Sequence, residues 1–382
     1  MRLSLLRTLD RWIGTSLLYV FVLPVHIVRA FLSSRRTDKP HHVFLKLKGG
    51  GSLIIAMPSL LGLRRQYPDA EFTLVCAAEA KIYAELTGIF NNYIVIDDRS
   101  LPTLVASGIR ALRSCFRSEY CIDLEPNSWL AALFTLVSCA VQRIGFVKPE
   151  YPARSLAYTS AISFNAAAPI YIYYDQISEM LGAKPASTTD CRECLQGLLP
   201  EPLLQKTGNK TISLAPFTSD FARERMMPAQ TWAQLLHHAY GSDPCTFLIF
   251  GSARNKEGAG KLIKALEMAL PSATFKNMVD LGSLGQVTAQ FGLCDEVWAV
   301  DSGLLHIARL MGIPCRSYWG PTMPSQRLRP ISGLSEQIYY RPFLCSPCVQ
   351  AASVPPCGGN NLCMITMAEE SPDLRPSWVK EQ

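Results

Sequence analysis

The chain has 382 residues, 18% of them charged, with 24 glycines and 26 prolines; these near-average values exclude a disordered or fibrous protein and leave room for two domains with separate cores. Its net charge of +6 is unevenly placed. Residues 1–40 carry Arg2, Arg7, Arg11, Arg29, Arg35, Arg36 and Lys39 against Asp10 and Asp38, so the rest is nearly neutral and lacks the basic excess of a nucleic-acid interface.

No charged residue lies between Trp12 and Val28, and the run from Leu17 to Val28 is strongly apolar. This is a membrane-contact signal. The 17 uncharged residues fall short of the ~20 that span a bilayer, and Gly14, Pro24 and His26 interrupt the pattern. Basic residues on both flanks fit a helix lying in the headgroup region. An interfacial or re-entrant helix, a true span and a soluble packing helix all remain open. No small-x-small cleavage site follows, which argues against a secretory signal peptide. Residues 1–40 are therefore read as a basic, apolar, membrane-associated arm.

After a polar break the residues from Val43 to Lys48 read as a strand, and Gly49-Gly50-Gly51-Ser52 as a turn that lets a ligand approach the backbone and opens a helix through Pro58 to Tyr67. Strands are expected at 71–76, 93–97, 120–125 and 143–146, with helices at 78–87, 101–116 and 129–141 between them. Such alternation predicts a parallel sheet flanked by helices over 41–185. The proline-bearing, polar segment 186–210 reads as a linker. The alternation restarts with strand 211–215, helix 231–240, strand 246–250 and helix 258–269, and segments 279–282 and 284–291 lead into a further strand, which gives a second domain over 211–344.

The sharpest feature comes late. A strand, Glu296 to Val300, ends in Asp301, and Ser302-Gly303 turn into a helix carrying His306. The helix start has free N–H groups and the positive end of its dipole, which suits a phosphate. In an open parallel sheet, groups beyond the carboxyl ends of the strands line the ligand crevice, so Thr218, Ser219 and Gly251 belong to the same edge. An Asp/Ser helix cap with a packed histidine is the bland alternative.

Most of the 13 cysteines sit singly in apolar stretches and read as small buried hydrophobes in a reducing compartment. Cys345, Cys348, Cys357 and Cys363, in the tail 345–382, follow a C-x2-C-x8-C-x5-C spacing that suits a structural zinc ion or an unligated, packed segment.

Several motifs appear in a fixed order: Phe44-Leu-Lys46-x4-Gly51-Ser52-x5-Pro58 with Arg64-Arg65-x-Tyr67-Pro68-Asp69-Ala70, then Arg143-Ile-Gly145-Phe146, then Arg225-Met-Met-Pro228 with Trp232-Ala-Gln-Leu235. Asp280-Leu-Gly-Ser, Asp301-Ser-Gly-x-x-His306, Gly312-Ile-Pro314, Gly320-Pro-Thr322 and Cys363-Met364 complete the series. Over residues 42–365 the chain resembles glycosyltransferase family 9, the ADP-heptose:lipopolysaccharide heptosyltransferases. The resemblance implies a GT-B fold, an α/β architecture of two Rossmann-like domains facing across a cleft, with the acceptor held by the first and the nucleotide-sugar donor by the second. It also implies inverting transfer without a catalytic metal, at the cytoplasmic face of a bacterial inner membrane, to a lipopolysaccharide-type or other lipid-linked acceptor.

Without a metal, the leaving diphosphate needs cationic or N–H donors and the attacking hydroxyl needs a base. The candidates for the first task are the helix start at Ser302-Gly303, the turn Thr218-Ser219 and Arg225, which aligns with the family's lysine; His306 either caps the site or touches phosphate, and Gly251 and Asp301 stand beside them. For the second, the family's catalytic aspartate is replaced by Ser52, after Gly50 and Gly51, and its usual arginine by Lys46. Asp123 and Glu125 end the fourth strand and, by strand alternation, both point to the cleft; Glu125 is the expected substitute base. Its alternative role is a helix cap. The departure at Ser52 leaves open a catalytically inactive nucleotide-sugar or glycolipid-binding scaffold. A Rossmann oxidoreductase is disfavoured, because Gly49-Gly-Gly-Ser lacks the G-x-G-x-x-G spacing.

Overall fold

The computed structural model describes residues 3–31, 39–206, 208–351 and 355–369, without the side chains of 3–11, 220–222, 350 and 351. Arg2, Arg7, Arg11, Arg35 and Arg36 of the arm, and the tail beyond 369, lie outside that description. The chain divides into two compact units, residues 1–191 and 192–382.

Unit 1 begins with helix α1 (Leu3–Phe31), followed by β1 (His41–Lys46), α2 (Gly51–Gln66), β2 (Glu71–Cys76), α3 (Ala78–Thr87), β3 (Asn92–Val95), α4 (Leu101–Cys115), β4 (Tyr120–Asp123), α5 (Trp129–Val137), β5 (Gln142–Val147), β6 (Ser160–Ser163) and α6 (Ile170–Met180). The six strands form one sheet in the order β3-β2-β1-β4-β5-β6, every pairing parallel. Order reverses between β1 and β4, and such a switch point opens a crevice at the carboxyl ends of the two strands. Residues 42–46 of β1 are all buried, as expected of a strand covered on both faces. Beneath it α2 is buried continuously from Leu53 to Leu63, an apolar cylinder and not an amphipathic one.

The arm is not a detached element. One stripe of α1 packs on α5 and the 3-10 turn Pro152–Ala157, burying Leu18 and Val25 in a cluster with Trp129, Ala132, Leu136 and Tyr158. A Cβ on Gly14 would stand 2.4 Å from the Trp129 Cβ, so only glycine lets the two helices approach this closely.

Helix α7 (Thr188–Gln196) runs across the division between units, inside the segment expected as a linker. Unit 2 continues with β7 (Lys210–Ala215), α8 (Ala229–Tyr240), β8 (Cys245–Gly251), α9 (Lys256–Ala269), β9 (Thr274–Val279), α10 (Leu284–Phe291), β10 (Glu296–Val300), α11 (Gly303–Leu310), β11 (Cys315–Trp319) and β12 (Glu336–Tyr340). Its sheet order is β12-β11-β10-β7-β8-β9, again all parallel, with the switch point between β7 and β10. Trp232, Trp298, Phe247 and Tyr318 fill its core.

One buried group in unit 1 works against stability. His42 is fully buried, packed against Tyr67, Phe72 and Tyr120, with no hydrogen-bond partner on either ring nitrogen among the described residues. Burial, reinforced by the nearby His41 and Arg64 charges, lowers its pKa to about 4. The unfolded chain therefore binds the proton more tightly, and stability falls as the pH drops from about 6.5 to about 4, by roughly 3 kcal/mol in total. A His42→Leu variant is expected to lose this slope and to gain ~1–2 kcal/mol at neutral pH, because an unpaired buried polar group is replaced by an apolar one. Urea denaturation of both proteins between those pH values checks it; parallel curves would refute the assignment.

Candidate functional site

In unit 2 the carboxyl ends of β7 and β10 bring together side chains from distant segments. Asp301 follows β10 directly and Ser302 precedes α11, whose first turn begins at Gly303. Arg225, from the 3-10 turn Asp220–Arg225 after β7, places Nη1 3.2 Å from Asp301 Oδ2. His306, one turn into α11, holds Nε2 3.8 Å from Asp301 Oδ1, beyond hydrogen-bond length. All three are largely buried.

Burial alone would raise the Asp301 carboxyl, but the Arg225 guanidinium, with His306 and Arg327, holds it well below the usual range. Burial lowers His306 against the pull of Asp301, so its imidazole is neutral at pH 7. The cluster therefore carries an ionised carboxylate, two guanidinium groups and a neutral ring. Ser302 Oγ is buried without a hydrogen-bond partner, and so are Thr322 Oγ1 and Gln326 Oε1 just beyond β11. Three unsatisfied polar atoms at one sheet edge are the arrangement a polar ligand would complete.

The other donor-side residues occupy the same edge. Thr218 and Ser219 follow β7, and the Thr218 hydroxyl donates to the Ser219 carbonyl at 3.2 Å. Gly251 ends β8, where a Cβ would meet the Phe217 ring at 2.8 Å; its smallness serves packing at that point.

In unit 1 the switch point is bridged by Glu125. Its Oε1 accepts from the Lys48 N–H at 2.7 Å and pairs with Lys46 Nζ at 3.1 Å, which ties the end of β4 to the end of β1. Its Oε2 has no partner among the described residues. Although burial works against the Lys46 ammonium, Glu125 outweighs it and raises the lysine pKa.

Asp123, close enough to act on Lys46, sits deeper. It is 0% exposed, and its carboxylate accepts from Arg154 Nη2 at 2.9 Å, the Tyr158 hydroxyl at 2.7 Å and the Glu125 N–H at 2.9 Å. Burial pushes its pKa up to about 6 in spite of these donors. The two carboxylates expected to share one crevice have different partners, since β4 ends at Asp123 and beyond a strand the side-chain alternation no longer holds. Arg154 also donates to the carbonyls of Glu125 and Pro126, so the buried pair fixes the peptide that carries Glu125.

Ser52 donates its hydroxyl to the Gly49 carbonyl at 2.6 Å, closing the turn at the head of α2. Gly49 takes a left-handed φ of 74°, and a Cβ on Gly50 would stand 2.1 Å from the Tyr83 ring. Gly51 is the first residue of α2. The loop is thus built for a tight turn against an aromatic ring.

Two contributions were not legible in advance. Arg327 adds charge near Asp301 and His306 from the short helix Pro324–Arg327. Asn361, in the tail, donates its side-chain amide to the carbonyls of Glu224 and Met226 at 2.6 and 2.9 Å, clamping the peptides on either side of Arg225. A lone asparagine more than 130 residues from its partners leaves no spacing signal.

Among the described residues no group of three or more His, Cys, Asp or Glu side chains is arranged to hold a metal ion, although Cys345, Cys348 and Cys357 lie near enough to Cys363 to act on its thiol. Cys345 is exposed, Cys357 is half-buried, and Cys348 and Cys363 are buried thiols pushed by burial up to about 11 and about 12. The segment packs Cys363 and Met364 against Gly320 and the core of unit 2.

The profile of glycosyltransferase family 9 (heptosyltransferase) matches residues 106–357. Lipopolysaccharide heptosyltransferase 1 of Pseudomonas aeruginosa is 30% identical over 123 residues, 32% of each chain. Lipopolysaccharide heptosyltransferase 2 of Salmonella typhimurium is 25% identical over 148 residues, 33% of this chain and 41% of that one. The chain thus spans about a third to two fifths of the length of these curated relatives. Among solved structures, a glycosyl transferase family 9 protein from Veillonella parvula superposes with a TM-score of 0.60 at 16% identity, covering 83% of this chain and 90% of that one. The E. coli heptosyltransferase WaaC with ADP gives 0.59 at 19% identity, covering 79% and 93%. At such identities the likeness establishes the fold, GT-B with two Rossmann-like sheets.

Proposed function

The chain belongs to glycosyltransferase family 9, and from that premise we propose that it is an inverting, metal-independent glycosyltransferase moving a heptose-type sugar from a nucleoside diphosphate to a lipopolysaccharide-type acceptor. It would act at the cytoplasmic face of the bacterial inner membrane, where an activated cytosolic donor meets a membrane-linked acceptor. The observation that carries the reading is the buried Arg225–Asp301–His306 cluster at the head of α11, beside the unpartnered Ser302 hydroxyl.

Breaking the sugar–phosphate bond builds negative charge on the departing diphosphate. Arg225, Arg327 and the N–H groups opening α11 supply fixed positive potential for it, without a metal. Asp301 holds Arg225 in place, and the neutral His306 ring can donate one N–H. In unit 1, Glu125 takes the acceptor proton: Lys46 and the Lys48 N–H hold one oxygen and leave the other for the incoming hydroxyl.

Calorimetric titration with ADP tests the donor half. Arg225→Ala is expected to weaken ADP binding ~10- to 100-fold, as removal of a charge-assisted contact does. Asn361→Leu, which frees the flanking peptides and keeps the guanidinium, is expected to weaken it by roughly 3- to 10-fold. Unchanged affinity in Arg225→Ala would remove this residue from the donor site.

One observation favours a second reading. The Ser52 hydroxyl is spent on the Gly49 carbonyl at the position where the family carries its aspartate, which fits a scaffold that binds the nucleotide-sugar without transferring it.

A further inference from the structure

We propose that α1 is an in-plane membrane anchor: it lies in the headgroup–acyl boundary of an anionic bilayer, with its inner stripe clamped to unit 1 and its outer face in lipid, and it does not cross the membrane. This rests on the docking of α1 alone and stands whether or not the chain transfers sugar.

Among the described residues only Trp12–Phe31, 20 residues, is apolar enough to span, so at 1.5 Å per residue the whole stretch would be needed to cover the hydrocarbon thickness. The middle of that same stretch is occupied by unit 1. Leu18 and Val25 are 0% and 6% exposed against α5 and the Pro152–Ala157 turn, and Gly14 lies against Trp129. Near its end, Arg29 donates from Nη2 to the Val141 carbonyl at 3.1 Å. Carrying these residues to the bilayer centre would drag the Arg154–Asp123 ion pair, which neighbours the same turn, toward hydrocarbon.

The opposite face has the composition of a lipid contact. Trp12, Tyr19, Val20, Leu23, Ile27 and Phe31 are each more than half exposed, and no exposed position from 12 to 31 is Asp, Glu, Lys or Arg. A helix docked on a soluble domain ordinarily turns charge outward, and a contiguous apolar face marks an interaction surface. Charge selects the occupant. The sequence brackets the apolar run with Arg2, Arg7 and Arg11 on one side and Arg29, Arg35, Arg36 and Lys39 on the other. A second copy meeting the same face would bring like charges together, whereas anionic headgroups neutralise them.

Flotation of the full-length protein with vesicles provides the test. Wild type is expected to bind phosphatidylglycerol-containing vesicles and to bind pure phosphatidylcholine at least ~5-fold less. The double variant Leu23→Glu/Ile27→Glu changes only exposed positions; it is expected to bind at least ~10-fold less while keeping the wild-type unfolding temperature and ADP affinity. In sealed inside-out membrane vesicles, N- and C-terminal epitope tags are expected to be digested from the same side. Tags on opposite sides would overturn the in-plane geometry. Absence of vesicle binding by wild type, or a solution dimer that the double variant dissociates without change in vesicle binding, would overturn the lipid assignment.

Discussion

A Glu125→Gln variant is expected to lose sugar transfer by ~10²- to 10⁴-fold in kcat while its affinity for ADP stays within about 2-fold of wild type. The amide keeps the shape of the side chain and accepts from the Lys48 N–H through one oxygen, so the loop between β1 and α2 should hold. What disappears is the second carboxylate oxygen, the one without a partner, and with it the proton acceptor. Lys46, left without its counter-charge, should also weaken acceptor binding, visible as a raised KM. Measured transfer from ADP-heptose, with donor hydrolysis as a second readout, separates the possibilities. Full activity in the variant would remove Glu125 as the base. An inert wild type that still binds ADP would favour the scaffold reading drawn from Ser52.

The second large effect is structural. Arg154→Met is expected to destabilise the protein by ~3–5 kcal/mol, because it strips the fully buried Asp123 of the cation and donor that oppose its desolvation, so that the carboxyl must take up a proton in the interior. Thermal unfolding should show a midpoint lowered by roughly 10 °C. The same substitution deletes the bonds to the Glu125 and Pro126 carbonyls, so any transfer activity should fall even below the unfolding temperature. Asp123→Asn, which keeps an acceptor for Tyr158 and Arg154, should cost less. Equal stability of Arg154→Met and wild type would show that the buried pair contributes nothing, contrary to its exposure of 2% and 0%.

The sequence by itself determined the elements wherever a strand or helix announces itself locally. Glu71–Cys76 and Ala78–Thr87 have the ends that their apolar runs and punctuating residues predict, because period and turn chemistry depend on near neighbours. It also placed Asp301, Ser302 and His306 at a strand-to-helix junction, again a local feature. The edge strands Ser160–Ser163 and Glu336–Tyr340 left no comparable run, being short and only partly buried. Tertiary structure alone decided the partnerships. Asp123 meets Arg154 across 31 residues, Arg225 meets Asp301 across 76, and Asn361 reaches Glu224 across 137, because sheet order and tail docking set those distances and no spacing encodes them. It likewise turned an apolar run of ambiguous use into a docked helix: a hydrophobic stretch carries its length in the sequence, whereas which of its faces is covered depends on the glycine-sized contact that unit 1 offers at Trp129.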